Sequence, residues 1–112
     1  IDLSELINVV SISKDRCPFV RVEAGACVAD VQAVLLRQGL TMPLVAEICR
    51  LTVGGLLLGA GVESSSHRVG LFRDCCRACE VLLASGEVVL FGGIEWVGRE
   101  SVTSDETWLL EL

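Results

Sequence analysis

Phe19-Val-Arg-Val-Glu23 alternates apolar and polar residues after Pro18. A period of two marks a half-buried strand, because successive side chains leave opposite faces of a pleated backbone. Gly25 ends this segment. From Val28 the period changes: Val28, Val31, Val34 and Leu35 recur at spacings of three and four, with Gln32, Arg37 and Gln38 on the other side. That spacing predicts an amphipathic helix, which Gly39 terminates. Leu40-Thr-Met-Pro43 predicts a return to extended backbone, since the residue before a proline is biased away from helical geometry. Further on, Asp74–Leu83 and Glu87–Phe91 are apolar runs joined by Ala84-Ser-Gly-Glu87, and a Ser-Gly pair between two such runs predicts an antiparallel hairpin. In the last stretch, Gly92–Leu112, no period is clear before Trp108; Ser104 ahead of Asp105, Glu106 and a Trp-Leu-Leu run reads as a helix cap. Strands mixed with one or two helices, without an internal repeat or a low-complexity linker, give an α+β class.

At 112 residues the chain is one domain or part of one. It starts inside an apolar pattern, Ile1–Val10, without an initiator Met, and stops at Trp108–Leu112, so a fragment of a longer protein is expected. With 52% hydrophobic residues it buries surface and is no disordered tail. Nine Lys and Arg against 15 Asp and Glu, a net charge of -6, argue against nucleic acid as a partner, because backbone binding needs clustered cations. The uncharged run Leu51–Val62 falls well short of the roughly 20 apolar residues of a membrane span, so no membrane segment is read in this chain. Six cysteines in a chain without a secretion signal are read as free, buried thiols of a reducing compartment.

The middle of the chain, Leu51-Thr-Val-Gly-Gly-Leu-Leu-Leu-Gly-Ala-Gly-Val-Glu-Ser-Ser-Ser-His-Arg-Val-Gly-Leu-Phe72, removes side chains at Gly54, Gly55, Gly59 and Gly61. Thr52 is a candidate N-cap for a short helix through Leu56-Leu-Leu58, its hydroxyl accepting from the N–H of Gly54 or Gly55. An open helix N-terminus suits a phosphate or another anion, and glycines admit a ligand or a neighbouring strand to the backbone. Tight turn packing without a ligand explains the same spacing, and on the residues alone both readings stand. The Walker lysine is absent, since no Lys follows Lys14, and GxGxxG does not occur. His67, the single histidine, is an acid or base candidate, but beside Arg68 in a polar loop it reads as a surface or hydrogen-bonding residue. Cys76-Arg-Ala-Cys79 has CxxC spacing without a second ligand pair, and on a regular strand its cysteines face opposite ways. No metal site is read. Arg68 and Arg73, around Gly70-Leu-Phe72, are read as solvated charges.

The run Leu51–Phe72, continued by Cys79-Glu-Val-Leu-Leu-Ala-Ser-Gly-Glu-Val-Val89, resembles the FAD-binding domain of the vanillyl-alcohol-oxidase, or PCMH, type of flavoprotein. Within that superfamily Val62-Glu-Ser-Ser-Ser-His67 is most similar to the delta(24)-sterol reductase family. The resemblance covers roughly residues 6–91, where Phe19–Glu23, Val28–Gln38 and Gly39–Pro43 look like the family's strand, helix and strand; it implies a partial domain over 1–91, with 92–112 a divergent C-terminal segment.

The resemblance implies a partial PCMH-type domain, its second subdomain, with a mixed or antiparallel sheet and flanking helices. It implies FAD as cofactor, lined by Thr52, Val53, Gly54, Gly55, Leu56, Leu57, Leu58, Gly59, Ala60, Gly61, Val62, Glu63 and Ser64. The N–H groups of Val53 to Gly55 are expected to reach the polar parts of FAD. It further implies an oxidoreductase of sterol biosynthesis in which NADPH is the reductant and the C24 double bond of a sterol is saturated. The sterol would meet a domain absent from this chain. The parent is expected to be membrane-anchored, on the cytoplasmic face of the endoplasmic reticulum, with another FAD-binding subdomain before residue 1. No catalytic side chain is singled out. Two alternatives stand beside this reading: a truncated product acting by interaction, and a different PCMH-type flavin oxidase using oxygen.

Overall fold

A computed structural model of the chain describes residues 2–91 and the backbone of Trp108–Glu111. The strands β1 (Val9–Ser13), β2 (Phe19–Val22), β3 (Cys76–Leu82), β4 (Val88–Phe91) and β5 (Trp108–Glu111) form one sheet in the order β1-β2-β5-β3-β4. Every pairing is antiparallel. Helices α1 (Val28–Arg37), α2 (Val53–Leu58) and α3 (Ser66–Val69) and a 3-10 turn (Phe72–Cys75) complete an α+β arrangement.

The alternation in β2 decides which face is buried. Val20 and Val22 are fully enclosed, while Phe19 and Arg21 lie on the outer face, where the Arg77 guanidinium sits 5.8 Å from the Phe19 ring centre. Arg21 reaches across β5 to Glu80 at 3.2 Å. Onto the inner face pack Val28, Val31 and Leu35 of α1, Val53 and Leu56 of α2, and Phe72 of the 3-10 turn. Helix α1 ends where its pattern predicts. Gly39, at φ 74, donates to the Leu36 carbonyl, and Leu40 donates back to Leu35, each at 3.0 Å. This paired closure needs a left-handed residue, which glycine supplies without a Cβ penalty.

The hairpin forms as expected: Leu82 pairs with Val88 and Cys79 with Phe91, and Gly86 takes φ 85 in the turn. Asp74 and Cys75 fall in the 3-10 turn instead of the strand. Two further elements differ from expectation, and a third, β1, is not read as a strand from the sequence. Strand β1 escapes the period-two pattern because a bulge between Val9 and Ser11 inserts Val10, which puts Val9 and Ile12, three apart, against the core. Gly39–Pro43 joins no ladder: the chain bends at Pro43 and Leu44, and from Met42 onward alternate side chains, Met42, Leu44 and Ala46, are buried. Trp108–Glu111 is a strand, not a helix, and it joins β2 to β3. The cap read at Ser104 lies outside the described residues, as does most of 92–112.

A second bulge, between Cys76 and Ala78, corrects the reading of the CxxC pair. Cys76 pairs with Leu110 and Cys79 with Trp108, two positions apart on β5, and cross-strand partners share a face. The extra residue therefore turns both cysteines toward the same, core-facing side. Burial pushes the Cys76 thiol up to about 11 and the Cys79 thiol upward as well. None of the six cysteines is in a disulfide, and they are not uniformly buried: Cys75 is enclosed, whereas Cys17 and Cys49 are exposed.

Candidate cofactor-binding site

The glycine segment folds as a capped helix wedged against the end of β2. Thr52 is extended and its Oγ1 accepts the Gly55 N–H at 3.2 Å, the predicted cap. The Val53 N–H donates to the Ala26 carbonyl at 2.9 Å and the Gly54 N–H to the Ala24 carbonyl at 2.8 Å. The expectation that the N–H groups of Val53 to Gly55 reach a ligand is thus corrected. All three donate within the chain, because the turn after β2 runs directly under the first turn of α2.

The glycines do different work. A Cβ on Gly54 would stand 3.1 Å from the Ala24 Cβ and carbonyl oxygen, so this glycine serves close packing. Gly61, at φ 54, lies with its would-be Cβ against the Phe72 Cβ and 3.0 Å from the Leu56 oxygen, again chain on chain. Gly59 forms the C-cap of α2. Gly55 is exposed, and a Cβ there would meet only the Thr52 hydroxyl, at 3.0 Å, whereas one on the likewise exposed Gly59 would stand 2.8 Å from the Gly55 oxygen.

Gly55 opens on a cleft of about 330 Å³. Thr52, Gly54, Gly55 and Leu58 form one wall, and Ala24, Gly25, Leu3 and Ser4 form the other. Leu58 is 87% exposed, an apolar side chain at the rim with no cover of its own. The second wall was not visible in sequence. Gly25 read only as the end of a strand, yet a Cβ there would stand 2.7 Å from the Leu3 oxygen and 2.6 Å from that of Leu6, so it admits the N-terminal segment. Ser4 is held by its N–H on Asp2 Oδ1 at 2.9 Å, a contact that also lowers the Asp2 carboxyl from its ordinary range.

Of the other residues assigned to the cofactor, Val53 and Leu56 are buried on the core side and Leu57 is half-buried. The chain then leaves the cleft through Ala60, the single non-glycine residue with positive φ among those described, at 67°. Val62 and Ser64 are exposed. Glu63 anchors the return: its Oε2 accepts the Glu47 N–H at 3.1 Å and its own N–H donates to Ser66 Oγ at 2.9 Å. Outside the cleft, His67 Nδ1 bonds the Ser64 carbonyl at 2.9 Å, and Arg68 and Arg73 are exposed. Among the described residues no cluster of side chains fits a metal ion.

A bare backbone strip beside apolar Leu3, Ala24 and Leu58 fits the face of a planar ring or the edge of a nucleotide. The cleft is smaller than a flavin dinucleotide, so these residues fit one part of it. A model of the FAD binding domain matches residues 1–92. The chain belongs to the FAD binding domain family. The cofactor of the family is FAD, and the domain's cleft lies inside the matched region. Delta(24)-sterol reductase of Homo sapiens is 43% identical over 86 residues, covering 75% of this chain and 17% of its own length. The Pisum sativum protein of that name is 42% identical over 89 residues, covering 80% and 16%. A Caenorhabditis elegans homolog is 33% identical over 84 residues, covering 75% and 16%. The domain spans about 16–17% of the length of these relatives.

Proposed function

We propose that this domain is the FAD-binding part of a delta(24)-sterol reductase, in which NADPH is the reductant and the C24 double bond of a sterol is reduced. The observation that carries the reading is identity of 40–43% with delta(24)-sterol reductases of animals and plants, over most of the chain. Bound FAD supplies hydride transfer; the protein binds, orients and shields it. In this reading Thr52 and Gly55 give the cofactor a flat backbone surface, and Leu3, Ala24 and Leu58 exclude water from one of its faces. The wider stretch from Thr52 to Ser64 follows the cofactor as far as the Glu63 anchor. The sterol meets residues of the parent beyond this chain, and the parent is anchored at the endoplasmic reticulum membrane, on its cytoplasmic face. Among the described residues no helix is long and apolar enough to cross a membrane.

The test is NADPH-dependent reduction of a Δ24 sterol by the full-length parent, followed by mass spectrometry of the product. A mass gain of two hydrogens is expected, lost when the Gly55→Val substitution is introduced. Oxygen-dependent oxidation of an alcohol without sterol reduction would replace this reading with that of a flavin oxidase.

A further inference from the structure

Cys27 and Cys49 meet at the point where the glycine segment is tied to α1. The Cys27 thiol donates to the Cys49 carbonyl at 2.9 Å across a separation of 22 residues. The same carbonyl accepts the Ala29 N–H at 3.1 Å, and the Leu51 carbonyl accepts the Val28 N–H at 2.9 Å. The turn 48–51 thus caps the N-terminus of α1 with its own carbonyls, while Cys27, the N-cap residue, makes no side-chain cap. One step further on, Cys27 bridges Thr52 in an isolated antiparallel pair. With ordinary bond angles the thiol–carbonyl path limits the two Cα atoms to about 8 Å apart, and a bend at the sulfur or the oxygen brings them toward the roughly 4.4–6.8 Å of disulfides. Cys27 is half-buried and Cys49 exposed, so a small oxidant reaches Cys49 first.

We propose that Cys27 and Cys49 form a reversible disulfide that clasps the turn 48–51 to the start of α1. The oxidant is a low-molecular-weight disulfide such as glutathione disulfide. The Cys49 thiolate attacks it, forming a mixed disulfide and releasing one glutathione thiolate. The Cys27 thiolate then attacks Cys49 Sγ, releasing the second glutathione. Two protein thiols are oxidised, one glutathione disulfide is reduced to two thiols, and the two protons pass to the departing glutathiones. Thr52 follows this turn directly, so the clasp fixes the residue that caps α2; its bearing on the cofactor rests on the function proposed above, but the bond itself does not.

The full 112-residue chain is incubated with glutathione disulfide, its remaining thiols are alkylated, and it is digested with trypsin without reduction. The expected product is peptide 22–37 linked to peptide 38–50, separating on reduction, together with a rise of at least about 4 °C in the thermal midpoint of the intact chain. Both changes are expected to vanish in Cys49→Ser and in Cys27→Ser, which keeps a hydroxyl donor for the Cys49 carbonyl. Recovery of the two cysteines on separate peptides, linkage to other cysteines, or an unchanged midpoint in the linked chain would overturn the proposal. None of these readouts uses FAD.

Discussion

Gly61 and Gly39 both adopt positive φ, yet their surroundings differ. Nothing lies within 4 Å of a Cβ placed on Gly39, whereas one on Gly61 collides with Phe72. Gly39→Ala is expected to cost about 1–2 kcal/mol, the ordinary penalty of a left-handed L-residue. Gly61→Ala adds overpacking and is expected to cost roughly 2–5 kcal/mol. Denaturant midpoints of the two variants measure the difference; equal losses would mean that Phe72 yields freely. Cys76 carries a second prediction at this scale. Its folded-state pKa is raised from 9.0 to about 11, chiefly by burial, so the unfolded chain loses that proton first as pH rises. The contribution of Cys76 to stability is full below pH 9.0 and lost as pH approaches about 11. Unfolding free energy measured across that window is expected to fall more steeply in the wild type than in Cys76→Ser, which does not titrate there.

Among the elements, β5 decides whether there is one sheet or two hairpins, since the backbone ladders of β2 and β3 are joined only through it. Leu110→Pro removes a ladder donor from a strand paired on both sides, and proline is excluded from such positions. Loss of the cooperative unfolding transition is expected; retention of the wild-type melt would mean that β5 is dispensable. The elements with unbroken periods were legible in sequence: the inward Val20 and Val22, α1 to its glycine stop, the Thr52 cap and the Ser-Gly hairpin. Strand β1 and the shared face of Cys76 and Cys79 were not, because one inserted residue reverses the parity on which alternation depends. Trp108–Glu111 was misread because a four-residue strand shows no period, and its partners, far away in sequence, select its conformation. Half of the cleft was hidden for a related reason: a glycine such as Gly25 announces a missing Cβ but not which segment fills the space.

At the scale of the whole molecule, the domain offers a cleft that fits one part of the cofactor and an incompletely covered surface. Leu58 at the cleft rim and Leu90 and Phe91 on β4 are more than 60% exposed, in a chain spanning 17% of its human relative. Such apolar surface suits burial against the remainder of a larger protein. Inside the chain, the glycine stretch divides its labour, with Gly54 and Gly61 closing the fold upon itself and Gly55 facing outward. Gly55→Val therefore tests the cofactor where Gly54→Val would test packing against Ala24. The deciding measurement is a titration of FAD with the purified chain, followed by quenching of flavin fluorescence, with circular dichroism to establish that each protein is folded. Saturable quenching by the wild type, abolished in a folded Gly55→Val variant, is the predicted result. A folded wild-type chain that leaves FAD fluorescence unchanged, or a Gly55→Val variant that quenches equally well, would contradict the assignment of this cleft to the cofactor.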